Sequence, residues 1–301
     1  MPRRGRLGEI SILPGISITI PLNDPDYDYA LQINPGSNVS IDNAGSIKSS
    51  DLYGIRSFGT LDRLVNDGTV EGDKIAAVQN SRIINNLTNN GTIKSRTAEV
   101  AIRNSGTITE FTNNGTTEGR IQNRTGSTIG TLTNSGTIKS LTSEVAIENF
   151  GPITEFTNSG TIEGGIRNGS TIGTLTNSGT ITKSGVGELG SHAIYSTGTI
   201  TNGIINTGTL DGDVTLGTAT LNLNDESSRV TGAVSGSSDS RVNVNGTFTS
   251  ENTFDVGHFE VASGATFNMA HNVTTTSSAT FQNDGVLSIA ATDAVTIQTG
   301  P

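Results

Sequence analysis

Few residues in this 301-residue sequence are of types that perform chemistry, and their spacing tells against each chemistry in turn. Asp24, Asp26 and Asp28 form an Asp-x-Asp-x-Asp run resembling the start of a calcium loop. The sixth position of such a loop needs Gly and holds Tyr29; the twelfth needs Glu and holds Pro35, so a solvated turn is expected instead. His192, His258 and His271 are far apart and in no metal-ligand spacing. No Gly-x-Ser-x-Gly elbow offers a serine nucleophile, and the absence of Cys removes thiolate chemistry and disulfides. Glu99, Glu110, Glu144 and Glu155 recur at an offset of 45 residues. If equivalent positions stack, Glu99/Glu144 and Glu110/Glu155 form acidic columns, the closest approach here to the carboxylate pair of a glycan-cleaving enzyme. Copied units also copy surface residues, which explains the same recurrence without catalysis. Arg103 faces Glu148 at that offset, which suggests an ion pair between coils. Thr-x-Thr pairs at 107/109, 131/133, 174/176, 180/182 and 199/201 would order water if they formed a flat array, but their steps are irregular. No catalytic, cofactor-binding or metal-binding residue is assigned, and no cofactor is expected.

What must position these residues is a short phrase that keeps returning. Asn-x-Gly-Thr-Ile stands at 104–108, 134–138, 158–162 and 177–181, with looser forms beginning at Asn43, Asn66, Asn89, Asn113, Asn149, Asn206 and Asn283. Residues 87–119 and 132–164 align without a gap, 25 of 33 positions being identical. A fixed period of this kind marks a repeat architecture. Within the phrase, Gly136 is expected to take positive φ and Asn134 to tolerate left-handed geometry, making a turn. Alternating Thr and Ile after it, as in Thr107-Ile108-Thr109, reads as a half-buried strand with Ile inward and Thr outward.

One such strand cannot bury its apolar edge alone, whereas parallel stacking on the next repeat buries it. The predicted fold is all-β: an elongated parallel β-helix with coils of roughly 20–25 residues about 4.7–4.9 Å apart. Stacked Asn side chains are expected to hydrogen-bond along the axis. β-Hairpins are the rival, since Asn-x-Gly also serves hairpin loops, but a two-coil unit of 45 residues explains the long near-copy directly. Residues 1–38 read as an N-terminal cap and first coils, 39–210 as regular repeats, and 211–301 as degenerate coils running to a truncated end. The insertion at 183–191 is expected to form a loop.

Composition agrees. Hydrophobic content of 32% is low for a globular domain, but a narrow one-dimensional core needs few apolar residues per coil, and disorder would not require their regular spacing. The formal net charge of −10 argues against a nucleic-acid partner. Residues 185–301 hold only Arg229 and Arg241 against 11 acids. No apolar run reaches the ~18 residues of a membrane span.

The Asn-Ser-Gly-Thr-Ile repeats, followed by Ala265-Thr266-Phe267-Asn268 and Phe281-Gln282-Asn283-Asp284-Gly285-Val286-Leu287, resemble the passenger region of bacterial autotransporters over most of residues 39–290. The resemblance implies a right-handed coil displayed at the surface of a Gram-negative bacterium. It also implies an N-terminal signal and a C-terminal outer-membrane barrel, neither of which this sequence contains. The expected function is a non-enzymatic passenger mediating adhesion to a host cell surface or matrix, or association with another copy of itself. A β-helical stalk presenting an upstream protease or lipase domain is the first alternative; a glycan-cleaving β-helix enzyme is the second.

Overall fold

In a computed structural model, residues 7–20, 28–97, 99–141, 145–289 and 296–298 are described. The chain winds through about 11 turns of a parallel β-solenoid, with no helix among these residues. It divides into two compact units, residues 1–153 and 154–301. Parallel pairing excludes the hairpin alternative.

In the first unit each coil has three strands. One winding consists of Thr107–Asn113, Thr116–Glu118 and Arg120–Asn123, and these define a first, second and third face. The first-face strand sits between Ile83–Asn89 below and Thr128–Asn134 above, both parallel to it. The offset of 45 residues is thus two coils, from Leu87 through Phe111 to Leu132. Aliphatic columns fill the interior: Leu61–Ile84–Ile108–Ile129 on the first face, Ile47–Val70–Ile93 on the second, and Ile55–Val78–Ile102–Ile121–Ile147 on the third. All of these residues are buried. Thr117 takes the place of an isoleucine above Ile93. Its buried hydroxyl donates to Asn113 Oδ1 at 3.0 Å, which removes the cost of the polar atom.

Simple alternation of Ile inward and Thr outward does not hold along the first face. In Ile83–Asn89 the second, fifth and seventh residues are buried, and the pairing skips from Ile84 to Asn86. Two outward residues in succession, Thr109 and Glu110 in the next coil, mark a bend in mid-strand. The coil must turn there to close on itself.

The seventh residue is the Asn of the phrase, and it lies inside. Asn43, Asn66, Asn89, Asn113 and Asn134 are all buried. Each Nδ2 donates to the Oδ1 of the Asn one coil above, at 2.7, 2.8, 2.8 and 2.7 Å from Asn43 upward. The same nitrogens also donate to the carbonyls of Thr69, Thr92, Thr116 and Thr137 at 3.0–3.1 Å. A second column runs at the end of the third face through Asn80, Asn104, Asn123 and Asn149, with bonds of 2.8, 2.9 and 2.8 Å. The axial amide bonding expected from the sequence is present twice.

The glycine of the phrase serves a purpose other than the expected one. Gly136 does not take positive φ, and Asn134 simply ends a strand. A Cβ on Gly136 would stand 2.1 Å from the Gly115 carbonyl oxygen; on Gly115 it would stand 2.2 Å from that of Gly91. The corner backbones stack so closely that no side chain fits between them. Ser135 and Gly136 N–H both donate to the Asn113 carbonyl one coil below, at 2.9 and 3.0 Å. Positive φ belongs to other corners, such as Gly126 (φ 81°), where a Cβ would meet nothing within 4 Å.

The second unit uses the same plan with a different filling. Asn158 donates to Asn177 and Asn177 to Asn206, each at 2.8 Å. Above Asn206 that column becomes Leu223, Val244 and Val261 before Asn283 restores it. Phenylalanines thicken the core in the same coils. Phe254, Phe259 and Phe267 pack with centroids 5.0–6.1 Å apart, and Phe259 stacks on Phe281 at 5.5 Å. An apolar corner there needs an apolar filling, which explains the degenerate repeats of this part of the sequence.

Asn89→Ala removes the two bonds that Asn89 donates and the one that Asn66 Nδ2 donates to it. It is expected to cost about 1–3 kcal/mol in urea denaturation, against at most about 0.5 kcal/mol for Asn90→Ala on the exposed neighbouring column. Equal costs would show that the buried amides do not hold the register. Gly136→Asn is expected to lower the melting temperature sharply, while Gly126→Asn leaves it nearly unchanged because Asn tolerates positive φ.

Candidate functional site

The residues singled out by sequence are not brought together. Asp24 and Asp26 lie outside the described residues. The Asp28 carbonyl accepts the Tyr53 N–H at 2.9 Å, and Tyr29 opens the third-face strand Tyr29–Ile33, so this stretch enters a strand directly. In the second unit, His192 lies against Tyr195 with ring centroids 5.1 Å apart, His258 Nδ1 is 3.1 Å from Thr280 Oγ1, and His271 is exposed. His258 reaches the next coil, where Thr280 is its register partner.

The Glu110/Glu155 column does not form as expected. Because 45 residues is two coils, Glu110 stacks on Asn86 below and Thr131 above. Glu155 lines a shallow depression with Phe156, Thr157, Thr174 and Thr176 and is the one carboxylate there. A glycosidase needs two. Glu144 lies outside the described residues. The Thr pairs also fail to stack as pairs: Thr107 aligns with Thr128, and Thr131 with Glu110. What stacks is a column one threonine wide, Thr69–Thr92–Thr116–Thr137.

The ion pair between Arg103 and Glu148 is corrected for the same reason. Gln122 stands between them in the stack. Glu148 is instead held by Gln122 Nε2 at 2.8 Å and Arg120 Nη1 at 3.4 Å.

That correction exposes a feature sequence reasoning missed. The outward positions of the third face in the first unit read Gln32, Arg56, Gln79, Arg103, Gln122, Glu148. All are long side chains ending in a planar polar group, one per coil. The signal was present at coil spacing, but the steps of 24, 23, 24, 19 and 26 residues hid it. Arg56 lies over the Tyr53 and Phe58 rings, 5.0 and 4.6 Å from their centroids. Those cation–π contacts fix its direction. Gln79 Nε2 donates to the Asn80 carbonyl at 3.2 Å and reaches Ser81 and Ser105 at 3.3 and 3.4 Å. Burial lowers the pKa of the Arg103 guanidinium; Tyr53 opposes this, and Arg124 and Arg120 add to it. The Nε atoms of Arg56, Arg103 and Arg120 are buried and make no hydrogen bond.

The second face of the same unit is the contrast. Its outward column alternates sign: Lys48, Glu71, Lys94, Glu118, Lys139. Lys48, Lys94 and Arg96 surround Glu71 at 3.7, 3.4 and 3.4 Å, and Lys139 meets Glu118 at 3.0 Å. Cations there have carboxylates. On the third face Tyr53, Arg124 and Arg120 bear on the charge of Arg103, and no salt bridge joins it to a carboxylate among the described residues. Chemically the strip is a row of amide and guanidinium hydrogen-bond donors that ends in the carboxylate of Glu148.

Compared with models of known protein families, with curated protein sequences and with solved structures, this chain matches none.

Arg103→Gln repeats what the column already holds at positions 79 and 122. It is expected to leave stability unchanged or raise it by up to about 1 kcal/mol, because it removes a charge that has no carboxylate partner. Glu71→Gln leaves three cations facing one another and is expected to cost about 1–3 kcal/mol. Thermal melts at low salt test both, and a clear loss on Arg103→Gln would reveal an internal partner.

Proposed function

We propose that this chain is a non-enzymatic binding module, the surface-exposed passenger of a bacterial autotransporter-like protein. It would act by adhering to a host cell surface or matrix, or by associating with another copy of itself. The observation that carries this reading is the stacking of outward polar groups in columns held by a register-locked core. Such a face offers the same contact coil after coil, so many weak contacts add up without a single strong site. The solenoid supports the passenger reading because parallel β-helices are what the repeat phrase and its family resemblance imply. The candidate carboxylates support a binding role: Glu110 lies between Asn86 and Thr131, and Glu155 among threonines and a phenylalanine.

Beads coated with the purified chain are expected to be retained on cultured epithelial cells or extracellular matrix, or to clump with one another, and soluble chain should compete. Retention is expected to be unchanged in Glu110→Gln and Glu155→Gln. The absence of both retention and clumping would overturn the reading. So would new reducing or unsaturated ends released from a panel of polysaccharides.

A further inference from the structure

We propose that the third face of the first unit binds an acidic saccharide. Arg103, Arg120 and Arg124 receive one oxyanion, and Arg56 receives a second two coils away. This rests on the reading of the chain as a binding module and names the chemistry of its ligand.

Three guanidinium groups on one face carry the inference. The Nε atoms of Arg56, Arg103 and Arg120 are buried and out of a ligand's reach, which fixes where each group points. The residues themselves are only half-buried, and the outer Nη groups match the two oxygens of a carboxylate or sulfate side by side. Arg120 and Arg124 flank the coil above Arg103, and both press on its charge. Glu148 is the nearby carboxylate, and Arg120 and Gln122 already hold it.

Local charge agrees. Between residues 74 and 139 the sequence holds eight Lys and Arg against three acids, Glu99, Glu110 and Glu118, within a chain of net charge −10. Lys74, Lys94, Arg96 and Lys139 are paired with Asp51, Glu71 and Glu118, so the excess on the third face is that of Arg103, Arg120 and Arg124, with Glu148 against Arg120. Focused charge of this kind steers an anionic ligand to one place on an otherwise acidic molecule.

Spacing selects an oligomer over a free ion. Arg56 and Arg103 are two coils apart, roughly 9.5 Å at the usual strand spacing, too far for one oxyanion to bridge. Successive charged sugars on a chain lying along the stack would reach both. Gln79 and Gln122 sit between and beside the arginines, where hydroxyl groups would pass. Tyr53 is buried beside Arg56 with Tyr29 packed against it, and its ring holds the guanidinium in place. Nucleic acid carries phosphate much more densely, and the acidic remainder of the chain opposes its approach.

Titration calorimetry of the intact chain tests the proposal. The probes are a sulfated heparin hexasaccharide, a carboxylated oligogalacturonate hexamer, neutral maltohexaose, inorganic sulfate and a single-stranded DNA 12-mer. At least one charged hexasaccharide is expected to bind, and the preferred arm tells sulfate from carboxylate. Arg103→Gln is expected to weaken that binding at least tenfold at an unchanged melting temperature, and Arg103→Lys to restore part of it. Arg63→Gln, at a first-face arginine already paired with Asp42 at 2.6 Å, should leave it unaltered. The proposal is overturned if no charged hexasaccharide binds, if maltohexaose or inorganic sulfate binds as tightly, if the DNA binds more tightly, or if Arg103→Gln has no effect. Retention on cells without saccharide binding would remove this ligand class and leave the binding-module reading standing.

Discussion

A buried carboxamide has nowhere to turn but along the axis, and the solenoid is arranged around that constraint. Inside the coil there is no water for Asn89, and its own coil spends its backbone groups on the strands above and below. The partner must be Asn113 directly above, at hydrogen-bonding distance and in a single orientation. An aliphatic column can slide by a fraction of a residue at small cost; an amide column cannot, because a slip leaves donors unsatisfied in a dry interior. The stacked glycines set the other limit. Gly136 over Gly115 allows the corner to close to the spacing the strands require, and a methyl group would hold it open. Amide and glycine together therefore fix both register and separation.

Two consequences follow for the outer surface. Because every coil is in register, outward residues form straight columns, and the character of each column is set by what its members do to one another. On the second face, alternating Lys and Glu satisfy themselves. On the third, Gln and Arg alternate without that mutual pairing: Arg56 lies over two aromatic rings, and the Nε atoms of Arg56, Arg103 and Arg120 are buried without a hydrogen bond.

Much of the fold was legible in the sequence. The phrase announced a coil, the 45-residue copy announced two coils, and Ile, Val and Leu marked the interior. The reason for the glycines was misread because a one-dimensional view sees turn chemistry and not the coil beneath. The Glu110/Glu155 column and the Arg103–Glu148 pair failed for one cause: an offset of two coils was taken for adjacency. The planar column from Gln32 to Glu148 escaped notice because loops of unequal length separate its members. In the second unit, Leu223, Val244 and Val261 occupy an amide position, which looks like decay of the motif until the phenylalanine packing beside it is seen.

The amide column also has a direction. Each member donates upward, so the Oδ1 of Asn43, at the foot of the column above Ile12, has no donor. From Asn66 to Asn113 each layer offers its neighbour the same pattern of donors and acceptors. Genetic exchange between the two near-identical 33-residue segments would splice in, or excise, two whole windings without orphaning an amide. Such a molecule can be lengthened or shortened in steps, like a stack of coins, while partial insertions at the corners would be rejected by the backbone itself.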